Sequence, residues 1–334
     1  MCDFLSHFLS AILALLGHAP ETIQPGRIVR FSTNGRRGDK AGWCLLFEDL
    51  RGGVFGCYRQ GISSVWTAID RKRMTPAERA ELQHRVQAAR AEREAEQRQR
   101  WAANAQRNAA IWAQCAVLGA DDPATRYLQH RLKADLWPLP ACLRFHSALP
   151  YWHEGQELGR FPALVAPLVS PTGEVLALHR TYLSADGRKA NVPAVKKLTG
   201  TAGPLAGAAI RLYEPEAGVQ GVAEGIETAL AAQLASGVAT VSAYSALGMK
   251  SYVWSPDVRR LVVFADPGEA GQRAAQVLKA RAASALVRCD VLTPSTASAD
   301  WCDVWAARGG AELDRVAESI TDAFEPAHQE GGGA

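Results

Sequence analysis

The pattern of apolar and polar residues changes in kind along the chain. From Phe4 to Leu16 apolar residues recur at helical spacing, which predicts an amphipathic helix. Its apolar run is shorter than the roughly 18–20 residues that cross a bilayer, so a helix docked on the first module is favoured over a membrane-surface segment. Between residues 20 and 70, short β-forming runs separated by glycines predict a small antiparallel module.

A long polar helix is predicted next. Thr75, Pro76 and Glu78 in TPAERAEL form a capping box with proline at the first helical position. The helix is expected to continue to about residue 117. From Arg71 to Arg107 there are ten Lys or Arg against five Glu, which is typical of a solvated connecting helix; a nucleic-acid-binding arm is the alternative.

The middle of the chain combines a hairpin with a cluster of basic residues. The run FPALVAPLVSPTGEVLALHRTYL predicts two strands joined by a turn at 170–173. Basic residues on the second strand and the turns after it indicate either a surface for a polyanion or a solvated edge. They are His179, Arg180, Arg188, Lys189, Lys196 and Lys197. A glycine-rich loop in the first module adds Arg36, Arg37 and Lys40, for which phosphate contact and a solvated loop fit equally well.

From about 211 to 308, apolar runs typical of strands alternate with helical segments, which predicts a mostly parallel sheet flanked by helices. The expected fold class is therefore α/β, with an α+β subdomain and a small β-rich module before it. The expected domains are 1–70 (β-rich module), 71–119 (helical connector), 120–208 (α+β subdomain), 209–310 (parallel α/β domain) and 311–334 (helix and disordered tail).

Composition narrows the class of protein. A chain of 334 residues with 48% hydrophobic and 21% charged residues suits a globular protein of two or three domains. The formal net charge of +3 does not by itself indicate a polyanion partner. Seven cysteines without a CxxC pair argue against a disulfide framework or a zinc ribbon, and reduced thiols predict a cytoplasmic location.

Acidic residues stand at the predicted strand ends of the α/β domain. They are Glu224 in VAEGIETALA, Asp266 in FADPGEAG, and Asp300 and Asp303 in SADWCDVW. Because parallel strands share one carboxyl edge, these side chains are expected to converge. Converging carboxylates suit Mg²⁺, and the free N–H groups of helices that begin at this edge favour phosphate.

These three segments resemble, in order and spacing, the signature segments of a Toprim domain, the catalytic fold of bacterial-type primases, type IA and type II topoisomerases and certain nucleases. EGIETALAA, DW-x-D and the upstream HRTYLSADGRKA are similar to segments of phage- and plasmid-encoded Toprim primases. The resemblance covers about residues 120–308, and 20–70 more weakly. It implies that Glu224 is the general acid/base and that Asp266, Asp300 and Asp303 hold Mg²⁺ or Mn²⁺.

The chain departs from the family pattern at two points. The family has Asp-x-Asp where this chain has Asp266, Pro267 and Gly268, with Glu269 one position late as a substitute metal ligand. Primases of this type commonly carry an amino-terminal zinc module, and no Cys or His spacing suits one here, so no zinc is expected. Template contact is then assigned to the basic residues named above.

The resemblance implies a nucleotidyltransferase that makes short RNA primers on single-stranded DNA with Mg²⁺ or Mn²⁺, encoded by a phage, plasmid or integrated mobile element. Its expected partners are the DNA template and ribonucleotides, with a replicative helicase in trans as a further candidate and no membrane. Two alternatives stay open: a catalytically weakened Toprim accessory protein that binds nucleic acid, and a Toprim nuclease.

Overall fold

The computed structural model describes residues 3–36, 39–134, 138–295 and 299–307. Two earlier predictions, the phosphate contact of Arg37 and the helix and tail at 311–334, lie outside these ranges. The described residues form two compact units. One contains the residues up to 100 together with the short segment 152–157, and the other contains the rest.

The first unit is built on a four-stranded antiparallel sheet. Its strands, in sheet order, are β1 (Val29–Phe31), β2 (Gly42–Leu46), β3 (Gly52–Cys57) and β4 (Ile62–Thr67). Helix α1 (Asp3–Leu16) buries Phe8, Ile12 and Leu16 against one face, where the Phe8 ring lies 5.7 Å from that of Phe55. The predicted docked helix is therefore confirmed, whereas strand β4 was not predicted.

The other face of this sheet is covered by the first half of helix α2 (Pro76–Ala113). The capping box is formed as predicted: Thr75 N donates to Glu78 Oε2 over 2.8 Å, and Glu78 N donates to Thr75 Oγ1 over 3.3 Å. Leu82, Val86 and Ala89 pack on the sheet because their spacing of four and three residues puts them on one helix face. Over this stretch the predicted connecting helix packs on the sheet with one face, while most of its other side chains are exposed. No helix in the described ranges has the length and apolarity to cross a bilayer.

The second unit begins with an antiparallel sheet. Its strands, in sheet order, are β5 (Ala116–Val117), β6 (Arg144–His153), β7 (Gln156–Val169), β8 (Val175–Tyr182) and β9 (Lys196–Leu198). The predicted hairpin is β7–β8. Strand β9 pairs with β8 so that Lys196 lies opposite Thr181. Since side chains alternate along a strand, Lys196, Thr181 and His179 share one face of the sheet. Helix α3 (Pro123–Leu132), capped by Asp122, belongs to this unit as well.

A four-stranded parallel sheet completes the second unit and confirms the predicted fold class. Its elements along the chain are β10 (Val219–Ala223), α4 (Ile226–Ser236), β11 (Thr240–Ser242), α5 (Ala246–Ser251), β12 (Arg260–Phe264), α6 (Glu269–Ser284), β13 (Arg288–Leu292) and α7 (Trp301–Ala307). The strand order is β11-β10-β12-β13, and every pairing is parallel. Helices α3, α4 and α7 cover one face, while α5 and α6 cover the other.

The strand order creates a switch point between β10 and β12. After β10 the chain moves to one side, to β11, whereas after β12 it moves to the other side, to β13. In open α/β sheets such a point leaves a crevice beyond the carboxyl ends of the two strands, and ligands bind there. The residues that follow β10 and β12 therefore occupy the position where chemistry is expected.

Candidate active site

Glu224 and Asp266 lie side by side at the switch point. Ala223 of β10 is paired with Phe264 of β12, so the chain emerges from both strands at the same level of the sheet. Glu224 follows β10 directly, and Asp266 comes two residues after β12. Both line one cavity of about 260 Å³. The predicted convergence of these acidic residues is found in the structure.

The turn that carries Asp266 is held from two sides. Trp301, in the DW segment, packs its ring edge-on against Phe264 with a centroid separation of 5.3 Å, and its Nε1 donates to the Ala265 carbonyl over 3.2 Å. On the other side, a Cβ on Gly271 would lie 3.1 Å from the Asp266 carbonyl oxygen. A glycine there lets the start of α6 approach the turn closely.

Asp266 is in an unfavourable electrostatic environment. Burial raises the pKa of its carboxyl to about 6, and the neighbouring carboxylates of Glu224 and Asp300 act in the same direction. In addition, Asp266 Oδ1 is buried and has no hydrogen-bond partner among the described residues. Since buried polar atoms are almost always paired, this oxygen and the repulsion around it indicate a site for a positive charge.

Asp300 has a different role from Asp303. Asp300 lines the cavity, and Arg131 of α3 donates to its Oδ2 over 2.6 Å. Asp303 and Asp300 also cap the start of α7 reciprocally: Asp303 N donates to Asp300 Oδ1 over 2.9 Å, and Asp300 N donates to Asp303 Oδ2 over 3.0 Å. Asp303 is not among the residues that line the cavity. A metal-ligand role for it stays a prediction.

Glu269 points to solvent. Its side chain is 79% exposed and pairs with Arg273 over 3.1 Å within α6. It does not line the cavity. Its role as a substitute for the missing second aspartate is therefore a prediction that the arrangement does not support.

The cavity fits a divalent ion that a substrate completes. Within the described ranges no three Asp, Glu, His or Cys side chains are grouped closely enough to hold a metal by themselves. Mg²⁺, however, commonly binds through one or two carboxylates together with phosphate oxygens and water. The buried, unpaired oxygen of Asp266 is the observation that matches such an ion.

A second group of lining residues, called the basic wall, includes Lys189 and Lys196. Lys196 Nζ forms an ion pair with Glu227 Oε2 over 2.7 Å, and the Tyr127 hydroxyl donates to Glu227 Oε1 over 2.6 Å. Glu227 is buried as the second residue of α4. Although burial opposes ionisation, the Lys196 ammonium and these hydrogen bonds lower the pKa of Glu227 to about 2. The carboxylate is therefore charged at neutral pH.

His179 lines the cavity on the same sheet face as Lys196 and is 8% exposed. Burial lowers its pKa to about 4, so the imidazole is neutral at pH 7. Its Nδ1 is buried without a hydrogen-bond partner in the described structure. His179 was predicted among the basic residues that contact nucleic acid or nucleotide. In the structure its side chain is neutral and not a cation.

The remaining basic residues divide into groups. Lys189 lines the same cavity, and Arg188 lines an adjoining hollow while pairing with Asp186 over 3.2 Å. Arg180 and Lys197 are not at the cavity. Arg180 donates to the Tyr182 hydroxyl and the Leu198 carbonyl, and Lys197 lies 4.8 Å above the Tyr151 ring.

Arg36 and Lys40 are exposed on the glycine-rich loop of the first unit. This loop is organised by Asp39, which accepts hydrogen bonds from the Thr33 and Ala41 backbone amides. Phosphate contact by Arg36 and Lys40 stays a prediction.

The sequence analysis missed Glu227, Tyr127 and Arg131. Tyr127 and Arg131 are four residues apart on α3 and face the α/β domain together, each through a bond to a partner at least 100 residues away in the sequence. One local signal was available: Glu227 is the one charged residue in the mostly apolar run IETALAA.

Comparison with known families agrees with this architecture. Residues 219–311 match the family model of the Toprim domain, and residues 102–212 match that of a domain of unknown function, DUF7146. The parallel sheet with its acidic strand ends defines the class, a Toprim-domain protein. The match places a Toprim domain at residues 219–311, as the resemblance recognised in the sequence predicted.

The chain is also similar to solved structures that are distant in sequence. A DNA primase domain from Pseudomonas aeruginosa is 16% identical, with a TM-score of 0.36 over 52% of this chain and 55% of that one. The primase fragment of the bacteriophage T7 primase-helicase is 14% identical, with a TM-score of 0.36 over 56% and 68%. A DnaG primase catalytic domain bound to ssDNA is 14% identical, with a TM-score of 0.47 over 67% and 82%. This chain thus spans about half of the Pseudomonas domain. Among curated proteins, no sequence matches it.

Replacing Asp266 with Asn is expected to stabilise the metal-free protein. The substitution removes a charge that burial and neighbouring carboxylates disfavour, and a gain of about 1–2 kcal/mol corresponds to roughly 1–3 °C in Tm at this size. Mg²⁺ should raise the Tm of the wild type and not that of D266N, as measured by differential scanning fluorimetry at pH 8. The exposed Asp257, before the amino end of β12, supplies the matched control D257N. An equal Mg²⁺ response in D266N would remove Asp266 from the metal site.

His179 should make folding stability depend on pH. The unfolded imidazole, with a pKa of about 6.5, gains a proton as pH falls, while the folded one stays neutral until about pH 4. The wild type should therefore lose up to about 3 kcal/mol of stability between pH 6.5 and pH 4 through this group. In urea unfolding, H179Q should lack this part of the loss, and the control H84Q, at an exposed position of α2, should follow the wild type. Parallel profiles for the wild type and H179Q would contradict a neutral His179.

Gly268 can accept an aspartate. It is the N-cap residue of α6, its backbone is extended (φ −68°, ψ 148°), and an added Cβ would meet nothing within 4 Å. Because Asp is a slightly better N-cap than Gly, G268D should fold with an unchanged or slightly raised Tm. If the side chain faces the cavity, calorimetry should show tighter Mg²⁺ binding than in the control A270D. Unchanged Mg²⁺ affinity would mean that position 268 does not correspond to the family's second aspartate.

Proposed function

We propose that the chain is a primase-like nucleotidyltransferase that joins ribonucleotides on single-stranded DNA with Mg²⁺ or Mn²⁺. The observation that carries the proposal is a cavity at the Toprim switch point with an acidic wall, Glu224 and Asp266, and a basic wall that includes Lys196. A site of this kind suits a divalent ion on one side and phosphate groups on the other. The similarity of EGIETALAA and HRTYLSADGRKA to segments of phage and plasmid primases favours primer synthesis and an origin in a mobile element.

In the proposed reaction, the residues of the cavity transfer one proton, hold the divalent ion and contact phosphate groups. Glu224 accepts the proton of the attacking ribose 3′-hydroxyl as its oxygen bonds to the α-phosphorus and pyrophosphate leaves. Asp266 and Asp300 would hold the divalent ion, which neutralises charge on the phosphate oxygens when bound. Lys189 and Lys196, which line the cavity, are assigned to phosphates of the nucleotide or the template.

Contact with single-stranded DNA outside the cavity is assigned separately to exposed basic residues of each unit: Arg188, on the turn after β8, in the second unit, and Arg36 and Lys40 in the first. The described cysteines are all free thiols, in keeping with the expected cytoplasmic location. A replicative helicase in trans remains a candidate partner.

A second candidate function is that of an accessory protein which binds nucleic acid without catalysis. One observation favours it: the described residues offer no preformed three-ligand metal group. The resemblance adds a second reason, since it aligns Gly268 with a family aspartate. A nuclease would use the same carboxylates as a primase, so it is separated only by the products.

The test is incubation of the full chain with single-stranded template, labelled ribonucleotides and Mg²⁺ or Mn²⁺. We expect labelled primers, and we expect E224Q to lose at least about 100-fold in rate because proton transfer is removed. Affinity for single-stranded DNA, measured by anisotropy, should change less than twofold, and the control E174Q, on the exposed hairpin turn, should keep full activity. Shortened template would identify a nuclease. Template binding with neither product would identify the accessory protein, and an active E224Q would exclude Glu224 from catalysis.

A further inference from the structure

We infer that Glu227 is a positioning residue that fixes the Lys196 ammonium in the cavity to receive a phosphate group of a nucleoside triphosphate. The identity of this ligand as a nucleotide rests on the proposed function. The positioning itself rests on the contacts, burial and charges of the described residues.

Glu227 is committed to two partners of the chain. It is 4% exposed, and each of its carboxylate oxygens already has a short bond, one from Tyr127 and one from Lys196. A buried carboxylate of this kind is stable only while its partners remain, so the three side chains hold one another in place. Although it stands three residues after Glu224, Glu227 is therefore not free to ligate a metal ion.

Lys196 is held at one end and open at the other. Its side chain is 40% exposed and lines the cavity shared with Glu224 and Asp266. An ammonium group has three donors, and the bond to Glu227 uses one of them. The register of β9 on β8 fixes the backbone of Lys196, and Glu227 fixes its tip. A phosphate oxygen that enters the cavity thus meets a cation whose position is already set.

The other polar groups of this wall do not replace Lys196. His179 is neutral, Arg131 is paired with Asp300 over 2.6 Å, and in the described structure no acidic side chain fixes Lys189. A lysine has a flexible four-carbon stem, so a fixed ammonium loses less freedom on binding than a mobile one. The pair Lys196–Glu227 is the preorganised part of the basic wall.

The arrangement also gives a role to the segment that precedes the Toprim domain. Tyr127 and Lys196 lie within residues 102–212, which match the domain of unknown function, whereas Glu227 lies within the Toprim match. The preceding segment supplies the cation and the hydroxyl, and the Toprim helix α4 supplies the anion that orients them. The phosphate side of the site is therefore shared between the two matched segments.

Charge alone and positioning predict opposite effects for one substitution. Glu227→Gln removes a negative charge 2.7 Å from Lys196 Nζ. By Coulomb's law alone, an anionic ligand should then bind more tightly. If Glu227 instead holds Lys196 in place, the same ligand should bind more weakly, because Lys196 becomes mobile.

The experiment measures binding of inorganic triphosphate to the full chain by calorimetry without divalent ions. We expect K196M to bind at least 10-fold more weakly than the wild type, E227Q about 5- to 10-fold more weakly and Y127F about 2-fold more weakly. K279M, at an exposed position of α6, removes the same charge elsewhere and should bind like the wild type. E227Q that is folded and binds as tightly as the wild type, or more tightly, would overturn the positioning role.

A double variant separates positioning from folding. K196M leaves Glu227 buried without its counter-charge and should lower the Tm, whereas K196M/E227Q removes both charges and should recover most of it. Triphosphate binding should be as weak in the double variant as in K196M, and K196R should restore part of it. Wild-type affinity in the double variant, or no triphosphate binding by the wild type, would overturn the inference.

Failure of this inference differs from failure of the proposed function. If the wild type makes no primers but binds triphosphate with the dependence on Lys196 and Glu227 given above, the positioning role stands and primer synthesis does not. If primers form while every variant binds triphosphate like the wild type, the proposed primer synthesis is supported and the positioning role is wrong.

Discussion

The parallel pairing of β10 with β12 is the constraint on which the site depends. It brings the chain out of the sheet at Glu224 and at Asp266 on neighbouring strands, although two carboxylates so placed repel each other. The two strands cannot separate from each other, because every residue of β10 and β12 is buried within the sheet and its covering helices. The energy of the buried sheet thus maintains an arrangement that is locally unfavourable, which is common where a protein holds a site for a ligand.

The acidic edge is balanced by residues from outside the parallel sheet. Arg131 from α3 reaches Asp300, and Lys196 from β9 reaches Glu227. Both come from the segment before the Toprim domain, so the Toprim part alone would carry the repulsion without its counter-charges. Helix α3 packs against α4 and α7, which carry or adjoin these acidic residues. The two matched segments consequently form one core and one electrostatic unit.

The sequence was sufficient for what is encoded locally and insufficient for what depends on long-range contacts. Alternating apolar runs predicted the α/β order, and strand-end positions predicted Glu224 and Asp266, because both follow from the geometry of parallel sheets. Strand β4 (ISSVWT) begins with two adjacent serines after its first residue, and α5 has only six residues, so neither showed a clear period and both were missed. Basic composition did not separate Lys196 from Lys197. Recognition of β9 as a strand would have done so, since side chains on a strand alternate between faces.

The acidic residues near the cavity have different electrostatic surroundings, and most of them already have a partner within the protein. Asp303 is used as a helix cap, Asp300 is paired with Arg131, and Glu227 is enclosed by Tyr127 and Lys196. Among the described residues, Glu224 and Asp266 are the cavity carboxylates with no ion pair. The carboxylates without a counter-charge are therefore two acids on adjacent strands, the proposed proton acceptor Glu224 and one of the proposed ion ligands, Asp266. Their proximity follows from the pairing of β10 with β12 and, for Asp266, from the turn that Trp301 and Gly271 hold in place.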